Sequence, residues 1–204
     1  LSIRRQRQMC IRDSCGAGPG LQAADVVICS VYPAATLDFV KSAVPFLQSD
    51  VLITDATGIK GSLPEDVQRL LTGRMEFIAG HPMAGRQGSG LGMAQAEIFD
   101  GANYIVVPAA FNSSGAIEWL SSFAGAIGCG QVVQVDAVEH DRIIAYTSNL
   151  PHALAVALIN SASYNENTKY FIAGSFRDGT RVADINPYLW SDLFLANREN
   201  VLQE

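Results

Sequence analysis

Charge is scarce in this chain, and an apolar run of membrane-spanning length is missing altogether. Charged residues make up 17% of the 204, and their balance of −6 argues against a broad surface for nucleic acid or anionic lipid. An anionic ligand must therefore be met by a few local Arg, Lys or His side chains. No apolar stretch is long enough to cross a bilayer, and the basic N-terminus is not followed by the hydrophobic region of a secretory signal. Cysteine is sparse too. Cys10, Cys15, Cys29 and Cys129 have neither metal-ligand spacing nor the density of a disulfide-held secreted domain. No metal centre is expected, and the thiols read as buried or incidental in a reducing compartment, so a cytoplasmic protein is the expectation. Apolar residues are plentiful at 49%, over a length that can enclose one large core or two modest ones.

Strand-like runs alternate with helical stretches through the first two thirds of the chain. Residues 26–31 (VVICSV) read as a strand buried on both faces. A helix over 37–47, a strand over 51–54 and a helix over 66–71 follow. Strands over 77–79 and 104–107, a helix over 116–126 and a strand over 131–135 complete the pattern. This alternation predicts an α/β fold with a parallel sheet covered by helices on both faces. After Asp136 the pattern turns wholly helical: one long helix over 137–162, another over 164–172, and a last from Pro187 onward. There Asn186 serves as cap and Pro187 takes the first helical position. The predicted organisation is an α/β domain at 24–136 and a helical domain at 137–204, preceded at 1–23 by a basic, aperiodic leader read as non-native or disordered. Both ends look incomplete, since a nucleotide-binding α/β domain opens with a strand and a glycine-rich turn. Gly16-Ala17-Gly18-Pro19-Gly20 has the glycines, but no strand precedes it and Pro19 removes an amide.

Four segments carry polar groups suited to chemistry. GHPMAG (80–85) follows the third strand and places His81 at a carboxyl strand end, where ligands bind in such sheets. A neutral imidazole there can take a proton from a hydroxyl near pH 7; the competing reading is a structural histidine. TSNLPH (147–152) sets Ser148 and His152 four apart on one helix face. Pro151 cannot donate to the carbonyl of Thr147, so the helix should kink there. GSFRDGTRVA (174–183) holds Arg177 and Arg181, which share a face only if the segment is helical. One of them can then meet an anion with a two-pronged guanidinium; the plainer reading is a surface helix with an Asp178/Arg181 pair. DATGIKG (55–61) follows the second strand, with Lys60 either a phosphate or carboxylate ligand or a lysine opening a surface helix.

Taken in order and spacing, VVICSVYP, TDATGIKG, GHPMAG, TSNLPHALA, GSFRDGTRVA and NPYLWSDLFLANRENV resemble the prephenate and arogenate dehydrogenase (TyrA) family over roughly residues 24–204. The resemblance implies a partial Rossmann-like domain without its first βαβ unit, followed by an all-α dimerisation domain. It implies NAD- or NADP-dependent oxidative decarboxylation of prephenate to 4-hydroxyphenylpyruvate, on the route to tyrosine, by a homodimer joined through the helical domain. Arogenate as substrate, or a non-catalytic dimerisation and ligand-sensing fragment, are the alternatives. Residue by residue, it implies that His81 polarises the ring hydroxyl and that His152 and Arg181 orient carboxylates. Ser148 and Trp190 would line the pocket, and Val31, Pro33, Asp55, Thr57 and Gly58 would lie at the cofactor. Two departures stand out. Gly58 occupies a position where many members carry a serine that partners the histidine, which leaves that task to Thr57 or a water. The absent βαβ unit takes with it the glycine fingerprint and the residue that selects NAD or NADP, so the chain as it stands is expected to be inactive.

Overall fold

The computed structural model describes residues 18–85 and 94–204. The leader at 1–17, with Cys10, Cys15 and the first two residues of the glycine cluster, lies outside them. The rest of that cluster runs into a short 3-10 turn, Pro19–Ala23. The chain forms two compact units, one from the residues up to Thr57 and from Ser62 to Val135, the other from Gly58–Gly61 and Asp136–Glu204. No helix of the described residues is long and apolar enough to cross a membrane.

The first unit is a five-stranded sheet in sequence order: β1 (Val26–Cys29), β2 (Leu52–Asp55), β3 (Glu76–Pro82), β4 (Asn103–Val107) and β5 (Gln131–Gln134). Among the described residues three helices belong to it: α1 (Pro33–Ala43), α2 (Leu63–Gln68) and α3 (Ser114–Ala126). Strands β1, β2 and β3 are parallel, as are β4 and β5. The expectation of a wholly parallel sheet is corrected at one seam, because β4 runs antiparallel to β3, with His81 opposite Ile105 and Pro82 opposite Tyr104. A parallel neighbour needs a long crossover, usually a helix. Among the described residues between these strands there is only the 3-10 turn Ala96–Phe99, so the chain doubles back.

Alternation of side chains fills the sheet's core. Ile53, Phe77, Ile78, Val106 and Val107 are buried, and Ala116, Leu120 and Ala124 pack from α3 against Ile78, Tyr104 and Val106. Their spacing of four puts one stripe of α3 on the sheet. Ser113 caps that helix by accepting from the Ala116 N–H and is itself held by Glu76, which accepts from both its N–H and its hydroxyl. The reading of 26–31 as buried on both faces fails at Ile28, which is 45% exposed: among the described residues β1 is an edge strand, and nothing there covers Ile28.

In the second unit the long helix divides into α4 (Ala137–Ile144), a π-helical turn (Ala145–Asn149) and α5 (Leu150–Ile159). Asp136 caps α4 through the Glu139 N–H. The expected kink takes the form of the π turn, directly ahead of Pro151, whose missing N–H breaks the regular ladder. The helix expected over 164–172 is corrected to a single 3-10 turn, Thr168–Tyr170. Side chains there capture the backbone: Asn165 N–H donates to the Thr168 hydroxyl and Asn167 N–H to the Asn165 side chain. Such local bonds compete with a helix and here prevail. Next come α6 (Gly174–Thr180), a 3-10 turn (Arg181–Ala183), α7 (Pro187–Ala196) and α8 (Arg198–Gln203). Asn186 caps α7 through the N–H groups of Tyr188 and Leu189, as expected, but the final helix is interrupted at Asn197.

Candidate active site

In the sheet unit the polar residues converge on Asp55, the last residue of β2. Its carboxylate is fully buried. One oxygen accepts from the N–H of Gly80 at 3.0 Å, the other from the N–H of Thr57 at 3.0 Å and from the Thr57 hydroxyl. The backbone pairing of β2 with β3 ends at Thr54 and Ile78. Beyond that point the Asp55 side chain takes over, holding β3 immediately before His81. His81 therefore sits within the end of the strand rather than in a loop after it, half-buried and also paired to β4. Gly80 has to be glycine: a Cβ there would lie 2.5 Å from the hydroxyl oxygen of Tyr104 and 2.9 Å from its ring.

The expected cofactor residues lie at the same strand ends. Val31 is exposed and Pro33, the first residue of α1, is half-buried; Thr57 is buried and Gly58 half-buried. Both oxygens of Asp55 are engaged inside the protein, so it acts by shaping the loop. The Thr57 hydroxyl spends its proton on Asp55. Cys29 ends β1 beside them; burial, with the Asp55 charge adding to it, pushes its thiol up to about 12 and leaves it unreactive.

In the helical unit three of the expected substrate residues come together. The imidazole of His152 stacks on the indole of Trp190, centroids 3.7 Å apart and planes 25° apart. Its Nδ1 lies 2.8 Å from the carbonyl of Ser148. A carbonyl only accepts, so Nδ1 carries the proton and Nε2 is the nitrogen left to face a ligand. The Ser148 contribution in this contact is its backbone carbonyl. Arg177 lies in α6 and Arg181 in the following 3-10 turn, both exposed. The condition that one continuous helix carries both is not met.

Two features escaped the sequence. Lys60, read as a ligand or a surface lysine, is only 2% exposed. His140, Asp141, Asn149 and Asn197 form a buried polar cluster joined to it. The available signal was His140 and Asp141 sitting three or four residues from Ile144, on the face of α4 that ought to be apolar.

Residues 2–133 match the family described as prephenate dehydrogenase, nucleotide-binding domain, and residues 136–204 match prephenate dehydrogenase, dimerization domain. The prephenate dehydrogenase of Bacillus subtilis (strain 168) is 31% identical over 185 residues, covering 89% of this chain and 50% of that protein. The chain spans about half the length of the curated relatives it matches. Among solved structures, prephenate dehydrogenase from A. aeolicus in complex with hydroxyphenyl propionate and NAD+ superposes with a TM-score of 0.78 at 30% identity, over 88% of this chain and 63% of that one. Synechocystis arogenate dehydrogenase superposes with a TM-score of 0.77 at 25% identity, over 91% of this chain and 66% of that one.

Proposed function

Since the chain belongs to the prephenate dehydrogenase family, we propose that it takes part in the NAD(P)-dependent oxidative decarboxylation of prephenate to 4-hydroxyphenylpyruvate, in the cytoplasm and as a homodimer. Residues 24–136 serve the dinucleotide, and residues 137–204 serve the substrate and the dimer. The observation that carries the reading is the meeting of Ser148 and Trp190 on the His152 imidazole, whose Nδ1 is engaged by the Ser148 carbonyl.

The residues at the ends of β1 and β2 fit part of a dinucleotide. Exposed Val31 and Tyr32 beside Pro33 offer an apolar ledge for a ring, and Asp55 fixes the Thr57–Gly58 backbone by hydrogen bonds. When bound, the nicotinamide would supply the acceptor for the hydrogen leaving the carbon that bears the ring hydroxyl. His81 accepts the proton of that hydroxyl as its oxygen becomes a carbonyl. Loss of carbon dioxide then makes the ring aromatic and turns that carbonyl into the phenol. Arg181 binds one substrate carboxylate through its guanidinium. His152, with Nδ1–H committed to Ser148, meets the other through Nε2, which donates to it when the ring carries both protons, and is held in plane by Trp190. Arogenate shares these groups, and competition between the two substrates separates them.

The dimer rests on surface chemistry. The helix α5 is apolar almost all round, yet Ala155 is its one buried residue, and Val138, Leu154, Tyr170, Phe171 and Tyr188 are all exposed. A face of this kind suits a large apolar interface between copies.

The test is NAD(P)H formation at 340 nm from prephenate by the complete protein, with its first βαβ unit in place. His81→Asn should lower turnover by about 10² or more, the range of a lost acid–base group, with little change in KM. Near-normal turnover in that variant would sink the assignment.

A further inference from the structure

Asp141 is buried in the helical unit and has no part in the chemistry above. Its Oδ1 accepts from the backbone N–H of Lys60 at 2.9 Å and lies 2.7 Å from His140 Nδ1, and its Oδ2 accepts from the N–H of Gly61 at 2.7 Å. Its own carbonyl accepts from Asn197 Nδ2 at 2.8 Å, and the same amide reaches the Asn149 side chain at 2.9 Å. Burial by itself would raise this carboxyl; the bonds from His140, Lys60 and Gly61 outweigh it and hold the group below the usual carboxylate range.

Two consecutive amides converging on one carboxylate is a demanding arrangement. It requires the backbone to turn sharply, and Gly61 does so with φ +49°, in the left-handed region that favours glycine. A Cβ on Gly61 would meet nothing within 4 Å, so glycine stands there for its conformation and not for want of space. Lys60 and Gly61 end the loop that starts at Asp55. That loop is thus gripped by carboxylates at both ends: Asp55 holds Thr57 at one, and Asp141 holds Lys60 and Gly61 at the other. A neutral apolar filler would be cheaper to bury than a charged carboxylate. What the carboxylate adds is two acceptors at the spacing of two neighbouring N–H groups.

We propose that Asp141 is a positioning residue: its carboxylate clamps the Lys60 and Gly61 amides and so sets the shape of the loop that bears Thr57 and Gly58, with His140 aiming the carboxylate. The functional half of this proposal rests on the reading of that loop as dinucleotide-binding.

Three variants of the complete protein, Asp141→Asn, His140→Ala and His140→Asn, test it by amide hydrogen exchange and by titration with NAD+ and NADP+. Asp141→Asn replaces one acceptor with a donor facing an N–H. It should speed exchange at Lys60 and Gly61 by about tenfold or more, leave Val106 and Phe77 protected, and weaken dinucleotide binding by about tenfold with prephenate binding unchanged. His140→Ala should do the same in milder form. His140→Asn should restore wild-type behaviour, because its amide nitrogen can stand where Nδ1 stands. Unchanged exchange at Lys60 and Gly61 would overturn the clamp. Equal loss of protection at Phe77 and Val106 would reduce Asp141 to a stabilising residue and overturn positioning, as would faster loop exchange with unaltered dinucleotide affinity. A complete wild-type protein, with its first βαβ unit in place, that binds neither dinucleotide would refute the reading of the loop instead, and exchange at Lys60 and Gly61 would still decide the clamp.

Discussion

Substituting Gly80 by alanine adds a single methyl group at the point where the sheet is least able to yield. The new Cβ would stand 2.5 Å from the Tyr104 hydroxyl oxygen, 2.9 Å from Cε1 and 3.0 Å from Cζ. Comfortable contacts of this kind lie at about 3.5–4.0 Å, so the ring would have to retreat by roughly 1 Å. Neither partner can move freely. Tyr104 is 3% exposed, beneath α3. Gly80 is paired to Val106, flanked by the pairs Ala79–Val107 and His81–Ile105, and tied through its N–H to Asp55. Overpacking a filled core costs about 1–3 kcal/mol, and a clash against a rigid ring between pinned strands belongs at the upper end. For a chain of this size each kcal/mol lowers Tm by about 2–4 °C, which gives a fall of roughly 6–12 °C by scanning calorimetry. Tyr104→Phe in the same background removes the nearest atom but keeps the ring, so it should recover part of the loss and not all of it. A Gly80→Ala protein that melts with the wild type, or no coupling to Tyr104→Phe, would refute the reasoning.

Arg181→Ala should chiefly raise the KM for prephenate, by about 10- to 100-fold, the equivalent of a lost charge-assisted pair of about 1.5–3 kcal/mol. A larger effect from Arg177→Ala would give the carboxylate to that residue instead. Asp141 binds its proton less readily in the fold than in the unfolded chain, so its contribution to stability is complete above about pH 4–5 and drains away as pH falls through the lowered folded value. The gap in urea midpoint between wild type and Asp141→Asn should therefore be widest near neutrality and close below about pH 4; a gap constant from pH 7 to 3 would contradict this. Sedimentation of the full-length protein should report a dimer, and a monomer at micromolar concentration would rule out the helical interface.

Much of this site was readable wherever the chemistry is local. Asn186 and Pro187 announce a helix start because cap and first turn are neighbours in sequence. His81 is placed at a strand end by the short apolar run before it, and Pro151 disturbs its helix through its own missing N–H. What stayed hidden depends on residues far apart. The reversal of β4 is a choice between two pairings that the same apolar run satisfies equally. Lys60 looks like a surface lysine until Asp141, 81 residues on, takes its amide. The exposure of Ile28 follows from β1 being an edge strand among the described residues, which no alternation of side chains reveals. The loss of the helix near Tyr164 was in principle visible, since Asn165, Asn167 and Thr168 are residues that bond their own backbone.

The π turn at Ala145–Asn149 sets an angle as well as a bend. Asp141 and His152 are eleven residues apart, and eleven residues make three turns of a slightly loosened helix, so on an unbroken rod the two would point within about 20° of one another. The wider turn absorbs one extra residue and rotates everything after it back by about 100°. The two side chains then diverge by about 80°, the buried carboxylate looking one way and the imidazole another. Straightening 145–149 into a regular α-helix with no residue removed would bring them back into phase. It would also carry His152 away from the indole of Trp190, an effect that a truncation of any one side chain in that turn would not reproduce.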